Sequence, residues 1–269
     1  MDSFVNERDF ALLAQDRYTF SVLDRILREP CELIRTNHRD LILCHSEKPY
    51  PVWIWTPDGC PDQVKENAWE LAARLRPFSS GYRFNMKHEL ADYYVKRAGH
   101  ENMHIGISME LFVYDCPAPV PPDCPADGAL HRCTPEDLET AVSLMAAFYP
   151  EIGEDPPEKS RIAEKALAYI SRHALFFWKN DLGTAVSCCS FRANEGLACL
   201  GSVFTLPAYR RRHYAQHLVY RVTETVRSLG FLPMLYTDAG YPASNACYEK
   251  IGYALRGRLC TVAALNREG

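Results

Sequence analysis

A proline-dense break in the middle of the chain constrains its folding more than any other feature. Asp115 to Ala129, DCPAPVPPDCPADGA, holds five prolines and shows no periodic pattern. Each proline fixes φ and removes a backbone donor, so neither a helix nor a central strand runs through such a stretch. It reads as an extended interdomain linker, residues 116–128, between lobes at 1–115 and 129–269. The division agrees with a prior of ~100–200 residues per domain.

The second lobe carries the clearer pattern. Gly128 to Cys133 reads as a short strand. Thr134 is a good N-cap, Pro135 suits the first helical position, and Glu136 and Asp137 face the positive end of the dipole. Leu138, Val142, Met145 and Ala146 then recur at helical spacing. A second helix is expected over Ser160 to Arg172. The apolar runs ALFFWKND and GTAVSCCSFRAN, joined at Asn180-Asp181, predict a hairpin. GLACLGSVFT is a third strand, and Ala215 to Leu229 a helix stopped by Gly230. A strand PMLYTDA, a short helix Ser244 to Lys250 and a last strand Tyr253 to Val262 complete the order β-α-α-β-β-β-α-β-α-β. The first lobe gives a similar order. Helices lie within Asp9 to Arg28, followed by strands at Cys31–Arg35, Leu41–His45 and Val52–Thr56. A helix from Asp62 to Leu75, a strand near Tyr82 to Asn85, a helix from His88 to Arg97 and the strand MELFVYD follow. That similarity suggests duplication of one αβ unit.

Composition removes several classes. Net charge is −4, which argues against a generally basic nucleic-acid binder. No apolar run approaches the ~20 residues needed to span a bilayer, and MDSFVNERDF has neither the charge nor the apolar core of a secretory signal. The 11 cysteines include no C-x-x-C, and Cys44, Cys188, Cys199 and Cys260 lie inside strand-like runs. They read as small buried hydrophobes in a reducing cytoplasm, not as a disulfide framework.

The chemistry concentrates in VFTLPAYRRRHYAQHL, Val203 to Leu218. A strand ends at Thr205, Pro207 stops it, and a helix opens near Tyr214-Ala215. Backbone N–H groups of about Arg211 to Ala215 have no intrahelical partner and point along the positive end of the dipole, which makes an anion site. Arg210, Arg211 and Arg212 add mobile positive charge. A diphosphate meets these requirements better than a duplex, which needs basic residues spread along a face. His213 and His217 stand i, i+4, but no H-E-x-x-H and no third ligand accompany them, so no metal is expected.

This segment resembles the acyl-CoA-binding segment of the GCN5-related N-acetyltransferases (GNAT), in which a strand ending V-x-T leads into [QR]-x-x-G-x-[GA] at the start of a long helix. Arg210 matches the first position and Ala215 the last, while His213 stands where that family has glycine. A second segment, LYTDAGYPASNACYEKIGY, is similar to the family's later motif at Asp238, Pro242, Ser244, Asn245, Tyr248, Ile251, Gly252 and Tyr253, with Tyr241 replacing a common asparagine. The resemblance covers Ala129 to about Leu265. In the first lobe, the equivalent VWIWTPDGCPDQVKENAWELA lacks the [QR]-x-x-G-x-[GA] pattern. That lobe is read as GNAT-like and degenerate.

The resemblance implies an α/β fold with a mixed sheet, the GNAT acyl-CoA N-acyltransferase fold, in two lobes. It implies acetyl-CoA as co-substrate and direct attack by an amine of a small molecule or peptide. The implied cofactor-binding residues are Val203, Phe204, Thr205, Arg210, Arg211, Arg212, His213, Tyr214, Ala215 and Asn245, with pantetheine amides paired to the backbone of Val203 and Thr205. Tyr248 is the implied general acid, because a phenol is protonated at neutral pH and a leaving thiolate needs a proton. Asn245, one turn earlier, is expected on the same face. The general base stays open among Glu151, Glu154, Asp155, Glu158 and bulk water, and Asp238 is a substrate contact or a turn residue. The implied setting is the cytoplasm, without nucleic-acid or membrane partners. The competing reading is a non-catalytic acyl-CoA-binding or scaffold protein, which His213 and Tyr241 favour. Tyr248 as a mere core tyrosine and the arginines as a solvated turn are the bland readings of the same residues.

Overall fold

The computed structural model describes residues 1–74 and 81–265. The chain forms two compact units. The first comprises Met1–Val113, Thr237–Tyr241 and Arg256–Gly269; the second comprises Tyr114–Tyr236 and Pro242–Leu255.

The first unit opens with α1 (Glu7–Leu13) and α2 (Ser21–Ile26). Asn6 caps α1 and Asp9 returns the bond, a reciprocal pairing that satisfies two end donors. Strands β1 (Leu33–Thr36), β2 (Ile42–His45) and β3 (Val52–Trp55) form an antiparallel meander. Helix α3 (Asp62–Arg74) crosses over to β4 (Phe84–Met86), which runs parallel to β3. The end expected at Leu75 lies outside the described residues. Helix α4 (His88–His100) and strand β5 (Ile105–Asp115) follow. Ala68, Trp69 and Ala72 of α3 and Leu90, Ala91 and Tyr94 of α4 share one core with Leu43, Ile54 and Phe84 of the sheet. These positions recur at i, i+3, i+4 on the helices, the spacing that aims one stripe at a sheet.

The second unit begins with β6 (Ala129–Arg132). A capping box at Thr134 and Asp137 starts one short 3-10 turn, Pro135–Asp137, and then α5 (Leu138–Glu151). Helix α6 (Lys159–Ser171) leads to β7 (Leu175–Lys179), β8 (Ala185–Asn194) and β9 (Leu197–Thr205). Strands β6 to β9 are successively antiparallel. The turn between β7 and β8 is built by Asn180, whose Oδ1 accepts from the N–H groups of Leu182 and Thr184. Helix α7 (Tyr214–Ser228) crosses to β10 (Leu232–Asp238), which pairs parallel with β9. Leu218, Val219, Val222 and Val226 of α7 are fully buried, each contributing roughly 1.5–3 kcal/mol of apolar transfer. Helix α8 (Pro242–Lys250) is the last element of this unit.

Two expectations about organisation are corrected. The final strand, β11 (Ala254–Ala264), was expected to close the second lobe, but its ladder lies in the first unit, antiparallel to β4 through Cys260↔Met86 and Val262↔Phe84. Leu259, Cys260 and Val262 are fully buried, as are Phe84 and Met86, and such strands need paired edges. The proline-rich segment is likewise not a free linker between lobes. It belongs to the second unit and lies on it as a strap. Cys116 N–H donates to the Pro233 carbonyl at 2.9 Å and Val120 N–H to the Ile251 carbonyl at 2.7 Å. The strap passes so close to Gly252 (φ +97) that a Cβ there would stand 2.7 Å from the Ala118 carbonyl, so only glycine serves. Prolines remove donors from this segment, but Cys116, Val120 and Gly128 still donate from it, and the Cys124 and Asp127 carbonyls accept.

All eleven cysteines are free; Cys44, Cys188 and Cys260 are buried within strands, and Cys199 is half-buried.

Candidate active site

The site lies in the second unit, where β9 leaves β10. Their register runs from Leu197↔Leu232 to Leu200↔Leu235 and stops. Directly beyond it, β9 carries an extra residue against β8. The pairs Ser190↔Gly201 and Cys188↔Phe204 flank Ser202, whose φ is +50. A bulge bends its strand and ends pairing locally. Leu206 N–H donates to the Val186 carbonyl, so Leu206, and by alternation Phe204, direct their backbone groups toward β8. Val203 and Thr205 direct theirs to the opposite, unladdered edge. The Thr205 carbonyl on that edge accepts from Arg210 Nε at 3.1 Å. Phe204 is buried in the core shared with α5 and α6.

Pro207–Tyr209 forms one 3-10 turn, and α7 then starts from His213 as N-cap. The first intrahelical bond is from His217 N–H to the His213 carbonyl. The N–H groups of Tyr214, Ala215 and Gln216 therefore have no acceptor within the helix and face the dipole's positive end. His213 itself has φ +64, ψ +4, and Arg211 has φ +61. This left-handed backbone is what glycine adopts freely and a β-carbon resists by about 1–2 kcal/mol. Histidine thus keeps the geometry for which the motif uses glycine, at a cost in strain.

The arginines are arranged unequally. Arg210 pairs with Glu151 at the end of α5, Nη2 to Oε2 at 2.8 Å, and lies over the Phe204 ring. Arg212 lies over the Tyr209 ring, and both Arg211 and Arg212 are exposed. Glu151, one of the residues considered as general base, is thereby engaged as a counterion. His217 is not poised for a metal: its Nε2 meets the Cys124 carbonyl at 2.7 Å and its ring lies against Trp178. Among the described residues no group of three or more His, Cys, Asp or Glu side chains could hold a metal ion.

On α8, Asn245 and Tyr248 are the two buried residues, 7% and 9% exposed, and share one face. The Tyr248 ring meets Tyr253 edge-on, at 5.9 Å between centroids. Burial holds the Tyr248 phenol well above its ordinary pKa. Tyr253 instead bonds Thr223 at 2.7 Å. Among the described residues the Tyr248 hydroxyl makes no hydrogen bond, so its proton is not committed to an internal acceptor.

In the first unit, the turn between β3 and α3 is furnished differently. Gly59 N–H donates to Glu89 Oε2 at 2.9 Å, and Lys65 pairs with the same carboxylate at 2.8 Å. The chain's own anion serves this turn. Asp238 also belongs to the first unit and acts in a turn, accepting from Gly240 N–H at 2.7 Å. Tyr241, at the end of that turn, is exposed.

A strand that bulges away from its parallel neighbour and enters a helix whose first N–H groups are unengaged marks the crossover of a mixed α/β fold. Residues 138–253 match the model of the Acetyltransferase (GNAT) family. Among solved structures, the chain is similar to a GCN5-related N-acetyltransferase from Sphaerobacter thermophilus, with a TM-score of 0.66 and 13% identity over 97% of this chain and 94% of that one. A GCN5-related N-acetyltransferase from Kribbella flavida gives 0.64 and 14% over 93% and 95%. An acetyltransferase of the GNAT family from Colwellia psychrerythraea gives 0.59 and 12% over 98% and 99%. At such identities the likeness is one of fold. No curated protein matches the chain.

Sequence reasoning missed three participants. The Ser202 bulge has no residue signature within GSVFT. The Glu151–Arg210 pair joins residues remote in sequence. The strap residues that reach α7 carried only the signal of a linker.

Proposed function

We propose that the chain is an N-acetyltransferase that uses acetyl-CoA to acetylate an amine of a small molecule or peptide. The observation that carries this reading is the unladdered edge of β9 at Val203 and Thr205, continuous with the unengaged N–H groups of Tyr214, Ala215 and Gln216. An extended amide chain ending in a pyrophosphate needs those two features in that order. Val203 and Thr205 would pair with the amides in the manner of a strand. The start of α7, with Arg211 and Arg212, would hold the pyrophosphate. Arg210 would exchange Glu151 for phosphate or keep the loop closed through the Thr205 carbonyl. Asn245 would hydrogen-bond the cofactor.

Acetyl-CoA, when bound, supplies an acyl thioester whose carbonyl the amine attacks and whose sulfur leaves. Tyr248 gives its hydroxyl proton to the departing sulfur, and the proton shed by the attacking nitrogen returns through water to restore the phenol. Burial keeps that proton in place across the working pH range, so the acid is always loaded. The same burial makes the phenol a weaker acid, and the gain in basicity as the thiolate departs offsets it.

The strained His213 favours a second reading, a protein that binds acyl-CoA without turning it over. Release of free thiol from acetyl-CoA in the presence of a panel of amines, peptides and aminoglycosides separates the two. Turnover above the amine-free background supports the enzyme; saturable CoA binding without thiol release supports the second reading.

A further inference from the structure

The strap reaches the first turn of α7. His217 Nε2 is held by the Cys124 carbonyl, and the Tyr214 hydroxyl donates to Asp127 Oδ1. These are the first and fourth residues of the helix, on the turn whose N–H groups are unengaged. Asp127 is itself held in place. Its carbonyl accepts from Trp178 Nε1 at 2.7 Å, and its Oδ2 accepts from Asp181 N–H at 3.3 Å. Next to it, Gly128 N–H donates to Asp181 Oδ1 at 2.9 Å, and a Cβ at Gly128 would run into the Lys179 carbonyl. The carboxylate is therefore fixed from the β7–β8 turn. Tyr214 is 3% exposed, so its ring is packed and its hydroxyl is the adjustable end. Arg212 is within reach of the same hydroxyl and of the Asp127 charge.

We infer that Asp127 is a positioning residue for the cofactor's pyrophosphate: it holds the Tyr214 phenol, and through it the first turn of α7 and the Arg212 guanidinium, in the conformation that receives the anion. This rests on the reading of α7 as the pyrophosphate site. The geometry sets a particular sign. The carboxylate does two opposed things: it orders the turn, which favours the anion, and it places a negative charge nearby, which disfavours it. Asparagine keeps the acceptor for Tyr214 and drops the charge; it gives up only the long 3.3 Å bond from Asp181 N–H, and the variant should therefore bind CoA at least as well as the aspartate protein. A purely structural residue would not separate in this way.

The experiment measures the Kd for CoA by calorimetry and the KM for acetyl-CoA, on the full chain, for the wild type and four variants. Asp127→Ala should weaken CoA binding about tenfold, since losing pre-organisation of a charged site costs on that scale. The loss should fall in KM, with kcat kept. Tyr214→Phe, which removes one oxygen and preserves the packed ring, should show a similar loss and remains informative if Asp127→Ala does not fold. Asp127→Asn should recover wild-type affinity or exceed it. Adding Tyr214→Phe to Asp127→Ala should give no further loss. Wild-type Kd in both Asp127→Ala and Tyr214→Phe would overturn the inference, as would an Asp127→Asn protein as weak as Asp127→Ala. Failure of the wild-type protein to bind CoA at millimolar concentration would instead overturn the functional reading on which the inference rests.

Discussion

Replacing Tyr248 by phenylalanine isolates the proton donor from the packing. The substitution removes one oxygen from a side chain that is 9% exposed. The edge-on contact with Tyr253, at 5.9 Å, belongs to the ring and survives. No internal hydrogen bond is broken among the described residues, so folding stability should hold or rise by ~0.5 kcal/mol, because a hydroxyl without a protein partner pays for desolvation and gains little. Affinity for CoA should change little. Turnover should fall by about 10²-fold or more, the range of general acid–base contributions, which equals roughly 2.7 kcal/mol or more of barrier. The fall should appear in kcat, since the proton is needed only as the sulfur leaves. Burial raises the Tyr248 pKa, so the wild-type rate should show no alkaline fall from this residue below about pH 10. Steady-state kinetics beside a thermal melt decides the matter. Near-wild-type kcat in a folded Tyr248→Phe protein would refute the assignment and leave proton delivery to water. A lowered melting temperature with intact activity would make Tyr248 a packing residue.

His213→Gly should leave the fold intact and tighten CoA binding or leave it unchanged, because the left-handed strain of about 1–2 kcal/mol is released and partly offset by glycine's larger chain entropy; a large loss, read by calorimetry, would show that the imidazole contacts phosphate. Arg210→Ala combined with Arg212→Ala should reduce the rise in melting temperature that CoA causes, a rise expected from binding to the folded state; an unchanged CoA-induced shift would remove the arginines from the site. His38 offers a pH test in the first unit: its ring bonds Asp9 at 2.6 Å and Asp2 at 2.9 Å, and the Asp9 hydrogen bond is the main cause of its raised pKa. The protonated form is favoured by folding, so this contribution is fully present below about pH 6.5 and lost as pH rises through the raised value. The melting temperatures of wild type and His38→Asn should therefore differ at pH 6 and converge toward pH 9, and a gap independent of pH would contradict the pairing.

Much of the fold was legible because its signals are local. Thr134, Pro135 and Asp137 announce the start of α5, and the cap is there. Asn180 announces the β7–β8 turn, and its side chain builds it. The element order of both halves follows from such signals together with hydrophobic period. The arginine run, Asn245 and Tyr248 could be singled out because the motif spaces them along single elements, and they lie before α7 and on one face of α8. What was not legible depends on partners far apart in sequence. Nothing in ALRGRLCTVAA says which sheet takes it, since a buried strand reads the same beside any neighbour. Proline content marks Asp115–Ala129 as irregular but does not distinguish a spacer from a strap; that depends on Pro233, Ile251 and Tyr214. The Glu151–Arg210 pair is invisible for the same reason.

The pairing of β11 with β4 bears on how the protein is made. A ribosome delivers Phe84–Met86 long before it delivers Cys260–Val262, and until then the first unit lacks the partner of a fully buried strand. The nascent first unit therefore waits, with one apolar edge unsatisfied, while the entire second unit is synthesised and is able to close its own four-stranded meander. Such long-range pairing is slow and leaves an edge open to other chains. A cell producing this protein would need to shield that edge, and a fragment ending near residue 115 would accumulate as aggregate. Joining a β11 peptide to such a fragment through a short linker should return it to solution.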